Sequence, residues 1–114
     1  MADYLFHFTS RANAQDIIAQ GVLRPGRGGR VYLTDDMYQS GAAAAGVLAI
    51  LGKPIEVACV IPRARIADLR PEGGRHVERL IMDAFEIRPG CGREWYTESE
   101  VDVTQLVWIA LSFP

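Results

Sequence analysis

Apolar and polar positions alternate almost from the first residue: Tyr4, Phe6 and Phe8 point one way and Leu5, His7 and Thr9 the other, which predicts a strand over Tyr4–Thr9. Ser10 is a good N-cap for a helix over Arg11–Gln20, whose Ala14, Ile17 and Ile18 form an apolar stripe. Gly21 marks its end. A Gly-rich loop with three Arg follows, Leu23 to Arg30, and Val31–Thr34 reads as a second short strand. Asp35 and Asp36 cap a predicted helix over Met37–Leu51. Its interior Gly41 and Gly46 each cost about 1 kcal/mol relative to Ala, so a close packing partner is expected.

Ile55–Ile61 is apolar except for Glu56 and predicts a strand in the interior of a sheet. Pro62–Gly74 reads as irregular. Val77, Leu80, Ile81, Ala84 and Phe85 fall at helical spacing, although Phe85–Ile87 fits an extended segment equally, and Arg88–Gly92 is a turn. From Trp95 the chain alternates through Val101 and Val103, pauses at Thr104-Gln105, and ends in an apolar strand over Leu106–Phe113. This order predicts an α+β fold with strands concentrated late in the chain.

At 114 residues the chain makes one domain, 1–114, large enough to fold without metals or disulfides. It is 49% hydrophobic and 23% charged, too apolar for intrinsic disorder. A net charge of −2 provides no global field toward nucleic acid or anionic membrane. Eleven of the twelve basic residues are Arg, Lys53 being the exception; this reflects coding bias or a need for bidentate anion contacts. Cys59 and Cys91 stand far apart and His7 and His76 are equally scattered, so no metal site is expected. Cys59, inside an apolar run, reads as a buried small hydrophobe and Cys91 as a loop thiol. No signal peptide or membrane-length apolar run is evident. The expected location is the cytoplasm, or a target-cell cytoplasm reached as part of a larger effector.

Three places are able to carry chemistry. His7 is a polar residue on an apolar strand; the plain alternative is an edge-strand histidine facing water. Tyr32 follows the Gly/Arg loop; the plain alternative is an ordinary sheet aromatic. Glu98 and Glu100 are spaced to share one face of an extended segment, with Asp102 continuing the row; the plain alternative is a solvated strand edge. The basic loop Arg24–Arg30 and the acidic segment Glu94–Asp102 together suit a ligand with phosphates at one end and developing positive charge at the other. The Gly-rich loop is neither a Walker A nor a Rossmann motif, because it leads into a strand and lacks Gly-Lys-Ser/Thr. No Gly-x-Ser-x-Gly occurs.

Leu5-Phe6-His7-Phe8-Thr9-Ser10 with its helix ending at Gly21, then Gly29-Arg30-Val31-Tyr32-Leu33-Thr34, then Glu98-Ser99-Glu100-Val101-Asp102-Val103, resemble in order the ADP-ribosyltransferase superfamily. The branch is the one marked by His, Tyr and Glu, in its compact bacterial toxin-type form. Residues between Ile66 and Arg93 match nothing in that pattern. The resemblance implies a split β-sheet with two or three short helices clasping NAD as substrate, with no metal. His7 would bind the adenosine ribose, and the Phe8 backbone the nicotinamide carboxamide, with Thr9 beside it in the NAD-binding strand. Tyr32 would stack on nicotinamide. Glu100 would bind the nicotinamide-ribose hydroxyl and stabilise an oxocarbenium-like transition state. Glu98 stands where arginine-modifying members carry an acid that orients the acceptor. Tyr38 is the nearest second stacking aromatic in sequence, closer to Tyr32 than the pattern places it. Arg24, Arg27 and Arg30 are assigned to the pyrophosphate on charge grounds rather than by the resemblance.

The function implied is a mono-ADP-ribosyltransferase toxin or effector acting on a macromolecular acceptor. Two alternatives keep the fold: an NAD glycohydrolase, with water as acceptor, and a non-catalytic nucleotide-binding module. An enzyme that consumes NAD endangers its own cell, so an immunity or antitoxin protein is an expected partner.

Overall fold

The computed structural model describes residues 3–26, 28–35, 55–71 and 94–111. The expected helices over 37–51 and 77–85 and the turn at 88–92 lie outside the described residues. So do Arg27, Tyr38, Lys53, His76 and Cys91.

The first strand, β1 (Tyr4–Thr9), has the predicted bounds, and so does the helix α1 (Arg11–Gln20). Ser10 caps it: its hydroxyl accepts from Asn13 N at 3.2 Å, and Glu56 Oε1 takes the Arg11 N–H at 3.1 Å. These two acceptors satisfy N–H groups that the first helical turn leaves without partners. Gly21 ends the helix in the left-handed region, φ 72°, and donates to Ile17 O at 2.8 Å. Then come β2 (Val22–Leu23), β3 (Val31–Thr34), β4 (Val57–Pro62), a 3-10 turn at Arg63–Arg65, β5 (Arg70–Pro71), β6 (Glu94–Thr97), β7 (Val101–Asp102) and β8 (Val107–Ala110).

The expected α+β class holds. Six strands form one antiparallel sheet in the order β5-β6-β3-β1-β4-β8, and β2 pairs with β7 in a second, two-stranded sheet. Strand β4, continuously apolar in its interior, has a neighbour on each side as its composition predicts. The segment 62–71 departs from the irregular reading. It holds the 3-10 turn and then β5, an edge strand whose Pro71 is tolerated because an edge position demands no ladder N–H there. Strand β2 also escapes the hydropathy pattern, because two residues are too few to alternate.

One face of the large sheet carries the core: Leu5, Val31, Leu33, Cys59, Ile61 and Trp95 pack against Leu23, Val101 and Val103 of the small sheet region. Fully covered Cys59 behaves as the expected small hydrophobe, and burial pushes its thiol up to about 12, so it is no nucleophile. The helix contributes Ala14 and Ile17 to the same side. Gly21 O accepts from Val103 N at 3.1 Å, joining the helix end to the stretch after β7.

Gly21 is constrained twice, since a Cβ there would stand 2.9 Å from Thr104 Cγ2 and the backbone is left-handed. Gly21→Ala is expected to destabilise by about 1–2 kcal/mol, lowering Tm by roughly 5 °C or more. Gly26 has open space around it and is the control: Gly26→Ala should stay within about 0.5 kcal/mol of wild type in the same melt.

Candidate functional site

The site is built where β1 stops pairing with β3. Strand β1 matches β4 at every position from Tyr4↔Pro62 to Thr9↔Val57, yet pairs with β3 only at Phe6↔Thr34. Beyond that rung the Tyr32 carbonyl takes a side-chain donor: His7 Nδ1 lies 2.8 Å from Tyr32 O. A carbonyl only accepts, so Nδ1 carries the hydrogen. Burial holds the His7 imidazole below its ordinary range, opposed by this hydrogen bond, so the ring is neutral at pH 7. Nε2 is then a bare acceptor. With its one N–H committed to Tyr32 O, the neutral ring is left with acceptance alone.

The edge-strand alternative for His7 does not hold, because β1 lies inside the sheet between β3 and β4. His7 shares the core-facing side of β1 with Leu5 and buried Thr9, whose carbonyl accepts from Glu56 N at 3.0 Å. Phe8 is buried on the other side.

Tyr32 emerges on the face opposite the core, 45% exposed, between the buried Val31 and Leu33. Across β6 its partner is Tyr96, whose own partner on β5 is Arg70. The Arg30 guanidinium lies 4.0 Å from the Tyr96 ring centroid, a cation–π contact. Tyr96 is therefore the aromatic that the described structure sets beside Tyr32. Its identity was invisible in sequence because strand pairing, not proximity along the chain, brings it there. The alternation from Trp95 onward is the signal that could have placed it on a strand.

The acidic segment is bent rather than extended, which corrects the expected common face. Thr97, fully buried, donates to Ala67 O at 2.5 Å and accepts from Ser99 N at 3.2 Å, turning the chain at Glu98-Ser99. Glu98 then reaches Arg70 Nη1 at 3.9 Å, and Glu100 reaches Arg24 Nε at 3.4 Å. Asp102 belongs to neither group. Its Oδ1 accepts from Thr104 Oγ1 at 2.6 Å and Thr104 N at 2.9 Å, and pairs with Arg65 Nη1 at 3.5 Å. The Thr104 hydroxyl and amide, aided by Arg65, hold its carboxyl below the usual carboxylate range.

The basic loop and the acidic segment, expected at opposite ends of a ligand, instead meet at Arg24 and Glu100. Arg30 is engaged with Tyr96. Among the described residues, no hydrogen bond or ion pair joins Glu100 to His7 or Tyr32. What links these three is strand adjacency: β1, β3 and β6 are consecutive in the sheet, and Glu100 follows β6 and immediately precedes β7. Among the described residues no group of three or more His, Cys, Asp or Glu could hold a metal ion. No helix among them is long and apolar enough to cross a membrane.

With protein-family models, with curated proteins and with solved structures alike, the chain finds no match.

The lowered His7 value has a sign that can be measured. Between the folded-state value and the ordinary 6.5, the unfolded chain binds a proton that the folded chain does not. Unfolding free energy in urea is therefore expected to fall as pH drops from 7.5 to 5.5. In His7→Gln the difference between those two pH values should shrink; an equal difference in both proteins refutes the neutral, part-buried imidazole.

Proposed function

We propose that this chain is an NAD-consuming enzyme that transfers ADP-ribose to a macromolecule, a toxin or effector with an ADP-ribosyltransferase-like split sheet. The observation that carries this reading is the hydrogen bond from His7 Nδ1 to Tyr32 O at the place where β1 and β3 part. It anchors the imidazole to the Tyr32 backbone with one nitrogen left as an acceptor, which suits a ribose hydroxyl, while the Tyr32 ring stands exposed on the opposite face of the sheet.

In this reading His7 Nε2 accepts a hydrogen bond from the adenosine ribose, and the exposed Tyr32 ring stacks on nicotinamide. The Phe8 backbone takes the carboxamide. The Glu100 carboxylate, 61% exposed, binds the nicotinamide-ribose hydroxyl and stabilises the positive charge that develops on that sugar. The bond from the sugar C1′ to the nicotinamide nitrogen breaks, and its electron pair leaves with nicotinamide, which departs neutral. A nucleophilic oxygen or nitrogen of the acceptor forms the new bond to C1′ and loses its proton to a base or to solvent. Glu98, 56% exposed and turned out of the strand, is available to orient that acceptor. If water takes the acceptor's place, the same site is an NAD glycohydrolase.

The partners in this reading are NAD, the acceptor macromolecule, and an immunity or antitoxin protein that restrains the enzyme in its own cell. The test is nicotinamide release from NAD by the purified chain. Glu100→Gln should lower kcat by about 100-fold or more, in line with losing one preorganised charge-stabilising group. Tyr32→Ala should act mainly on KM. Label carried on the adenine half of NAD should appear in macromolecules of a cell lysate; label confined to free ADP-ribose makes water the acceptor. No nicotinamide release by wild type, or equal release by Glu100→Gln, overturns the proposal, and tight NAD binding without release would identify a nucleotide-binding module instead.

A further inference from the structure

We infer that Arg24 is the positioning residue for Glu100, orienting its carboxylate rather than binding the pyrophosphate; the inference rests on the NAD reading above. The pair follows from backbone register. Leu23 pairs with Val101 across β2 and β7, so Arg24 and Glu100 stand at the next position of the same antiparallel ladder, opposite one another. Their side chains close the rung, Nε to Oε1 at 3.4 Å.

The ladder beneath is firmly held. Val101 is fully buried, Leu23 nearly so, and Val103 N donates to Gly21 O. On the other flank, Arg65 Nη1 donates to the carbonyls of Asp102 and Thr104 at 3.1 and 3.3 Å. Both Cα positions are thus fixed by packing, while the side chains of Arg24 and Glu100 are 62% and 61% exposed. An exposed ion pair of this kind contributes about 0–1 kcal/mol to stability, so the fold does not depend on it. Its consequence is orientational. A lone exposed glutamate samples several rotamers, whereas one paired with a guanidinium edge is biased toward the rotamer that makes the pair. Glu98, held by Arg70 at the longer 3.9 Å, is the looser of the two acids. That contrast matches a fixed transition-state stabiliser beside an adaptable acceptor contact.

The pair is read first without any turnover. In a 15N-labelled sample the Arg24 Nε–H resonance should move on Glu100→Gln and stay put on Glu98→Gln; a resonance indifferent to Glu100 overturns the inference. In nicotinamide release, Arg24→Gln should lower kcat by roughly tenfold, as misplacing a catalytic group does, while KM for NAD stays within about twofold. Arg24→Lys should recover part of the loss, and adding Arg24→Gln to Glu100→Gln should cost nothing further. A rise in KM with kcat intact would instead assign Arg24 to the phosphates and overturn the inference while leaving the proposed function standing. A wild type without release brings down the proposed function itself, before any variant is compared. Melting curves within a few degrees of wild type keep these readings free of folding effects.

Discussion

The arrangement depends on one strand that pairs fully with only one of its two neighbours. Strand β1 spends its whole length on β4 and meets β3 at a single rung. A carbonyl left in such a gap must still find a donor, because an unpaired backbone polar group is costly once shielded from water. His7 supplies that donor to Tyr32. The consequence reaches beyond the one bond: the imidazole is anchored, its tautomer is set, and its second nitrogen is left as an acceptor at the parting of the sheet.

A similar economy governs the acidic segment. Buried Thr97 bends the chain, Asp102 and Thr104 close the turn after β7, and Arg65 bridges to it from the 3-10 turn. Asp102 is consumed by that work. Glu98 and Glu100 take no part in that turn, and each stands exposed against an arginine from outside the acidic segment. The weak stabilisation expected of exposed pairs, set against the strength of the buried ladder below, separates what holds the fold from what directs the side chains.

Local structure was written plainly in the sequence wherever short-range chemistry dictates it. The alternation at Tyr4–Thr9, the Ser10 cap and the Gly21 stop yield β1 and α1 with their observed bounds. Val31–Thr34 and the turn at Thr104-Gln105 are equally legible. The two-residue strands β2 and β5 were not, since they form only because a partner strand lies alongside. Nor was the bend at Glu98-Ser99, which depends on a threonine hydroxyl reaching the Ala67 carbonyl in a distant segment. The even spacing of Glu98, Glu100 and Asp102 therefore pointed to a common face that the folded chain does not have.

The sequence by itself determined which residue types stand ready: a histidine on an apolar strand, a tyrosine after a Gly/Arg loop, and acids ahead of a late strand. It did so because periodicity and capping are properties of neighbouring residues. Only the tertiary structure decided that His7 spends its N–H on Tyr32, that Tyr96 stands beside Tyr32, and that Arg24 faces Glu100. Those are cross-strand relations. They are fixed by sheet order and register, which arise from burying Leu5, Leu33, Ile61, Trp95 and Val101 in one core.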